Sequence, residues 1–250
     1  MDKRIGAQLF TVRDLCKSTA DLDATLGKIA KIGYKCVQVS GVGVGAADVR
    51  EILDKYSLEP ICTHRPYADY RDNIDAVIEY QSTLSCSIAG LGMMPEEMGN
   101  SSQSLNEFIK VANRATQELS KRKMCFAYHN HAFEFMRLDG KYIMDYLIEN
   151  TDMKFILDVY WLAFAAQDPA KMIERLGKRA VVLHYKDLKI KGFQTAMAPV
   201  GSGNLNWDEI LAAADMSGAE YAMVEQDYCD GDPIDALKTS YNFLTQRGYV

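Results

Sequence analysis

The sequence predicts an α/β protein, a single (β/α)8 barrel over residues 1–250. Three observations point there. Short apolar strand-like runs recur every ~25 to 35 residues with a helical pattern between them. A length of 250 residues suits one such barrel and its buried core. All four histidines sit at the C-terminal end of a predicted strand, the rim where barrels of this type place their chemistry.

The units follow in order. Arg4–Phe10 reads as the first strand, with a helix around Ala20–Ile32 that stops at Gly33. Cys36–Ser40 is the second strand, backed by Ala46–Tyr56 after a glycine-rich loop, and Leu58–Thr63 the third, backed by Asp72–Ser82. Cys86–Leu91 is followed by a long amphipathic helix at Ser104–Lys121, and Met124–His129 by a helix around Lys141–Glu149. Phe155–Val159 pairs with Pro169–Leu176, Val181–Tyr185 with Asn206–Asp215, and Tyr221–Glu225 with Pro233–Gln246. Strands alternating with helices imply parallel pairing, because each crossover needs a helix. A doubly wound open sheet would place a glycine-rich phosphate loop after its first strand; here that place holds Gln8-Leu9-Phe10-Thr11-Val12-Arg13.

Composition narrows the function. The formal charge of −6, with no long basic stretch, argues against nucleic acid as a partner. No apolar run reaches the ~20 residues of a membrane helix, and the start at Met1-Asp2-Lys3 lacks a signal segment. Six cysteines occur without a Cys-x-x-Cys pair, and Cys36, Cys62, Cys86 and Cys125 fall in predicted strands, so the expectation is a reduced, cytoplasmic chain.

Asp158, His184 and Glu225 end the sixth, seventh and eighth strands, so three metal-competent side chains converge on one rim. Each alone has a plainer role: a helix cap, a hydrogen-bonded core histidine, a surface acid. The fifth strand runs into Tyr128-His129-Asn130-His131-Ala132-Phe133-Glu134-Phe135, where alternation puts His129 and His131 on one side and leaves Glu134 in the following turn. His64, Gln8, Trp161 and Lys186 are candidate substrate contacts, each with a structural alternative, Lys186 as a salt-bridged barrel lysine. Pro199-Val200-Gly201-Ser202-Gly203 before Trp207 has the composition of an anion-binding turn or of any tight loop.

At these residues the chain resembles the sugar phosphate isomerase/epimerase families with the xylose-isomerase-like TIM barrel. The likeness runs through Gly6–Arg13, Gly33–Gln38, Tyr128–Phe135, Leu157-Asp158, His184-Tyr185-Lys186-Asp187, Pro199–Gly203 and Val224–Asp227. It implies one divalent metal ion held by Glu134, Asp158, His184 and Glu225. The chain departs from the sugar epimerases in having Tyr128-His129 where they carry a strand-end glutamate, and Trp161 where they carry a histidine. It follows instead the His-Asn-His-x-x-Glu-Phe branch, which includes enzymes that cleave 3-keto-glycosides by elimination.

The expected function is metal-dependent proton abstraction next to the carbonyl of a sugar or keto-sugar. Carboxylates with one imidazole suit Mn²⁺, Mg²⁺ or Co²⁺, with Zn²⁺ left open. His129 or His131 would be the base, with Glu225 able to share that role. The alternatives are aldose–ketose isomerisation or ketose epimerisation in the strict sense, a non-catalytic sugar-binding barrel, and a metal-dependent endonuclease. The expected partner is a small carbohydrate, and a partner sugar dehydrogenase would supply any 3-keto substrate. Self-association is left open.

Overall fold

The computed structural model describes residues 4–250; Met1, Asp2 and Lys3, on which the reading of the start rests, lie outside them. Eight parallel strands close into a barrel: β1 Ile5–Gln8, β2 Cys36–Val39, β3 Glu59–Arg65, β4 Ile88–Leu91, β5 Cys125–His129, β6 Lys154–Asp158, β7 Ala180–Tyr185 and β8 Tyr221–Val224. Each strand pairs with its sequence neighbour, and β1 closes the ring on β8 through Ile5 opposite Ala222 and Ala7 opposite Val224. No helix among the described residues is long and apolar enough to cross a membrane. All six cysteines are free thiols.

Local chemistry explains the helices. Ser18 accepts from Asp21 N to open Thr19–Ile32, and Gly33 ends it at φ 127°, where a side chain would be strained. Asp168 caps Pro169–Leu176, with proline in the first turn where its missing N–H costs nothing.

Several elements escape the sequence reading. A 3₁₀ segment, Leu9–Leu15, takes over where β1 was expected to continue, started by Gln8 accepting from Phe10 N. A short helix, Val159–Phe164, follows β6 directly. Two antiparallel hairpins, Arg137–Leu138 with Lys141–Tyr142 and Asp187–Lys191 with Gln194–Ala198, extend from the rim after β5 and β7. The expected helix at Asp72–Ser82 is two, Tyr67–Asp72 and Ile74–Leu84, because Asn73 caps the second by accepting from Ala76 N.

Alternation along the strands positions the site. Cys36, Cys62, Ile88, Ala127, Ile156, Val182 and Met223 form an apolar cluster of their own, apart from the larger core between strands and helices. Two residues on, with the same facing, come Gln38, His64, Gly90, His129, Asp158, His184 and Glu225. The apolar layer is therefore the floor, and the polar layer above it stands at the C-terminal ends of the strands.

Candidate metal centre

Six strands bring polar side chains to one point. Asp158, at the end of β6, divides its carboxylate between two tasks. Oδ1 accepts from Tyr160 N at 2.8 Å and Trp161 N at 3.1 Å, capping the short helix. Oδ2 faces inward, 3.2 Å from His129 Nε2 and 3.0 Å from Lys186 Nζ. Asn130 Oδ1 accepts from Asp158 N at 2.9 Å and so locks the β5 loop to β6.

Both histidines of the cluster are held from behind. His129 Nδ1 lies 3.0 Å from Gly92 O, and His184 Nε2 lies 2.7 Å from Gln38 Oε1. A carbonyl oxygen only accepts, so each of these outer nitrogens carries the proton. On a neutral ring the inner nitrogens, His129 Nε2 and His184 Nδ1, are then lone pairs; they lie 3.2 Å from Asp158 Oδ2 and 2.9 Å from Glu225 Oε2. His184 Nδ1 and Glu225 Oε2 are buried and make no directed hydrogen bond. Acceptors turned on acceptors in a dry interior repel unless positive charge stands among them; the Lys186 ammonium supplies part of it to both carboxylates, and a metal ion on the imidazole side would supply the rest. A ring N–H tied to a carbonyl on the far side is the usual support of a metal-ligating histidine.

The charge leads to the same conclusion. Lys186 Nζ reaches Asp158, Glu225 and Asp227 at 2.9–3.1 Å. Three carboxylates against one ammonium leave an excess of negative charge that a bound cation would balance, although burial raises the Asp227 carboxyl. Ligand atoms of His129, Asp158, His184 and Glu225 all lie within 4.8 Å of one another and can hold such an ion.

Glu134 is not in that group. It lies in the 3₁₀ turn Phe133–Phe135, where its Oε1 accepts from Tyr128 OH at 2.6 Å and its Oε2 from His131 N at 2.8 Å. Both oxygens are used in closing the loop, and His129 stands in the group in its place. Burial pushes the Glu134 carboxyl up to about 7.

The remaining titratable groups are set by the same cluster. Burial alone would depress the Lys186 ammonium, but the carboxylates around it outweigh this and keep it protonated. Asp158 and Glu225 resist burial and stay ionised, chiefly because of Lys186. Burial holds His64 and His184 below the usual imidazole range, so both rings are neutral. His131 is pushed down to about 3 by burial and then by His129. For His129, the bond and charge of Asp158 outweigh burial and favour the protonated ring, whose Nε2–H donates to Asp158 Oδ2; a bound cation would take the place of that proton.

A mouth cavity of 370 Å³ opens on the group, with His64, Arg65, His129, His131 and Glu225 among its walls. That is the size of a small-molecule site. His131 Nδ1 and Trp161 Nε1 are buried without a partner, and their rings lie 5.2 Å apart. Trp161 also covers Lys186, whose Nζ is 5.5 Å from the ring centre. Gln8 is buried at the end of β1; its oxygen accepts from Phe10 N, and its Nε2 is likewise buried without a partner. The Pro199–Gly203 turn already holds an anion of its own: Asp187 Oδ2 accepts from Gly201 N, Gly203 N and Trp207 Nε1 at 2.8–2.9 Å.

Gln38 and Asp227 are the residues the sequence reading passed over as site groups. Both carried a signal, because a polar residue in the inward row at a strand end has the same address as the histidines.

The sequence profile described as xylose isomerase-like TIM barrel matches residues 26–247. Among solved structures, a sugar phosphate isomerase/epimerase from Parabacteroides distasonis is 24% identical with a TM-score of 0.79, covering 100% of this chain and 96% of that one. A D-allulose 3-epimerase from Methylomonas sp. is 13% identical with a TM-score of 0.70, covering 98% and 97%. An AP endonuclease, family 2, from Brucella melitensis is 16% identical with a TM-score of 0.69, covering 94% and 96%. At this distance the likeness shows a shared fold. No curated protein matches the chain at a significant level.

Proposed function

We propose that this chain, which belongs to the xylose isomerase-like TIM barrel family, is an enzyme that holds one divalent metal ion and removes a proton next to the carbonyl of a sugar or keto-sugar. One observation carries the reading: two imidazoles, His129 and His184, have their outer nitrogens tied to carbonyl oxygens and their inner nitrogens turned on carboxylates. His129, Asp158, His184 and Glu225 would hold the ion. Two imidazoles and two carboxylates favour Mn²⁺, Co²⁺ or Zn²⁺ over Mg²⁺, which prefers an all-oxygen shell. When bound, the ion supplies Lewis-acid stabilisation for negative charge on a carbonyl oxygen.

The chain's own groups do the rest. His131 is neutral, and its unpartnered Nδ1 is buried beside the mouth cavity; in the Nε2–H tautomer that nitrogen is placed to take the proton. Lys186 keeps Asp158 and Glu225 ionised and in position. Trp161 offers a ring face and an unpaired N–H to a sugar. The oxidation that would make a 3-keto substrate belongs to a partner dehydrogenase.

The test is turnover of a panel of ketoses and 3-keto-glycosides in D₂O, before and after chelation. Deuterium at the carbon beside the carbonyl, lost on chelation and restored by Mn²⁺, is the expected result. Full turnover by metal-free protein, or turnover that leaves no deuterium and no primary isotope effect, would overturn the reading.

A further inference from the structure

Gln38 is a fully buried amide at the end of β2, lying between two imidazoles. Its Nε2 is 2.7 Å from His64 Nε2, and its Oε1 is 2.7 Å from His184 Nε2. A primary amide has one donating end and one accepting end. Its oxygen therefore calls for a proton on His184 Nε2, and its NH₂ calls for a lone pair on His64 Nε2. A neutral imidazole carries a single ring proton, so His184 Nδ1 is left as a lone pair and His64 Nδ1 as an N–H.

The surroundings agree at both ends. His184 Nδ1 is buried 2.9 Å from Glu225 Oε2 without a directed hydrogen bond, the condition of a nitrogen that faces a cation. His64 Nδ1 has an acceptor nearby, Ser40 Oγ at 3.4 Å, and both residues line the mouth cavity. Gly90 leaves the room for this ring: a Cβ there would lie 2.9 Å from His64 Cδ2 and 2.3 Å from Thr63 O.

We propose that Gln38 is a positioning residue that imposes opposite tautomers on its two neighbours, making His184 a lone-pair ligand and His64 a hydrogen-bond donor toward the substrate. The His184 half rests on the metal-centre reading above; the His64 half rests on the amide alone. Since His64 presents an N–H, it orients a substrate oxygen and does not take the proton.

Long-range ¹H–¹⁵N spectra of histidine-labelled protein distinguish the two tautomers, in metal-free and Zn²⁺-loaded samples. The expected wild-type result is His184 protonated at Nε2 and His64 at Nδ1. Gln38→Glu puts acceptors at both ends, so His64 should switch to Nε2–H while His184 stays unchanged. Gln38→Met keeps the length but removes both bonds, and Mn²⁺ affinity should fall by about 10–100-fold, the usual effect of losing such a support. Wild-type affinity in Gln38→Met, or the same His64 tautomer in wild type and Gln38→Glu, would overturn the proposal. If Gln38→Met does not fold, the other two spectra decide. Failure of the wild type to bind Mn²⁺ removes the metal reading instead, and the metal-free spectra still judge Gln38: matching tautomers on both rings would rule it out.

Discussion

Lys186 Nζ and Glu225 Oε2 stand 2.9 Å apart, both buried. The same oxygen is 2.9 Å from His184 Nδ1, so one carboxylate oxygen joins the ammonium to the metal-competent group. Removing the ammonium leaves Asp158, Glu225 and Asp227 facing one another with no fixed counter-charge. Lys186→Met should lose about 3–5 kcal/mol of unfolding free energy, as broken buried pairs do. Saturating Mn²⁺ should return part of it, about 2.7 kcal/mol at a hundredfold excess over Kd. Urea unfolding with and without Mn²⁺ measures both; wild-type stability in the metal-free variant would contradict the charge argument.

Metal content separates His129 from Glu134. His129→Asn and His184→Asn should each lose most bound Mn²⁺ on dialysis. Glu134→Gln should keep it, because both Glu134 oxygens serve Tyr128 and His131. Elemental analysis of the three dialysed proteins is the check, and an empty Glu134→Gln beside a full His129→Asn would reverse the assignment.

His131→Asn should retain metal and lose at least ~10²-fold in turnover, the low end for a general base. Burial, then His129, holds this ring down to about 3, so it stays unprotonated through the neutral range. The acid limb of kcat/KM due to it should therefore lie near pH 3, well below the ordinary imidazole range. A variant with undiminished turnover would move the base to another group.

Glu134 makes stability depend on pH. In the unfolded chain its carboxyl has the ordinary value of 4.5, while burial raises it to about 7 in the fold. Between those values the folded state holds the extra proton, so the contribution of Glu134 to stability is greatest below 4.5 and falls as pH rises toward 7. Glu134→Gln carries no titrating proton and should flatten that part of the curve. Chemical denaturation at half-unit pH steps shows this directly; parallel curves for the two proteins would place the proton elsewhere.

How much was legible follows from what is local in a strand. Successive side chains alternate faces, so a strand-end run such as Leu183-His184-Tyr185-Lys186 assigns His184 and Lys186 to one side before any fold is known. The same rule, applied to Phe155–Asp158 and Tyr221–Glu225, yields Asp158 and Glu225, and the spacing of such runs yields the barrel that joins them. Turns obey no such period. The 3₁₀ turn after β5 sends Glu134 back to Tyr128 and leaves His129 facing Asp158, a direction set by loop packing. Hydrogen bonds that close the ring are more remote still. Gln38 and His184 are 146 residues apart in the chain and meet only because β2 and β7 line the same interior. The sequence by itself determined the eight strands and the polar residues on their inner rows, because alternation is a property of each strand alone. Only the closed barrel decided which nitrogen faces which oxygen, because those contacts join strands that have no local relationship.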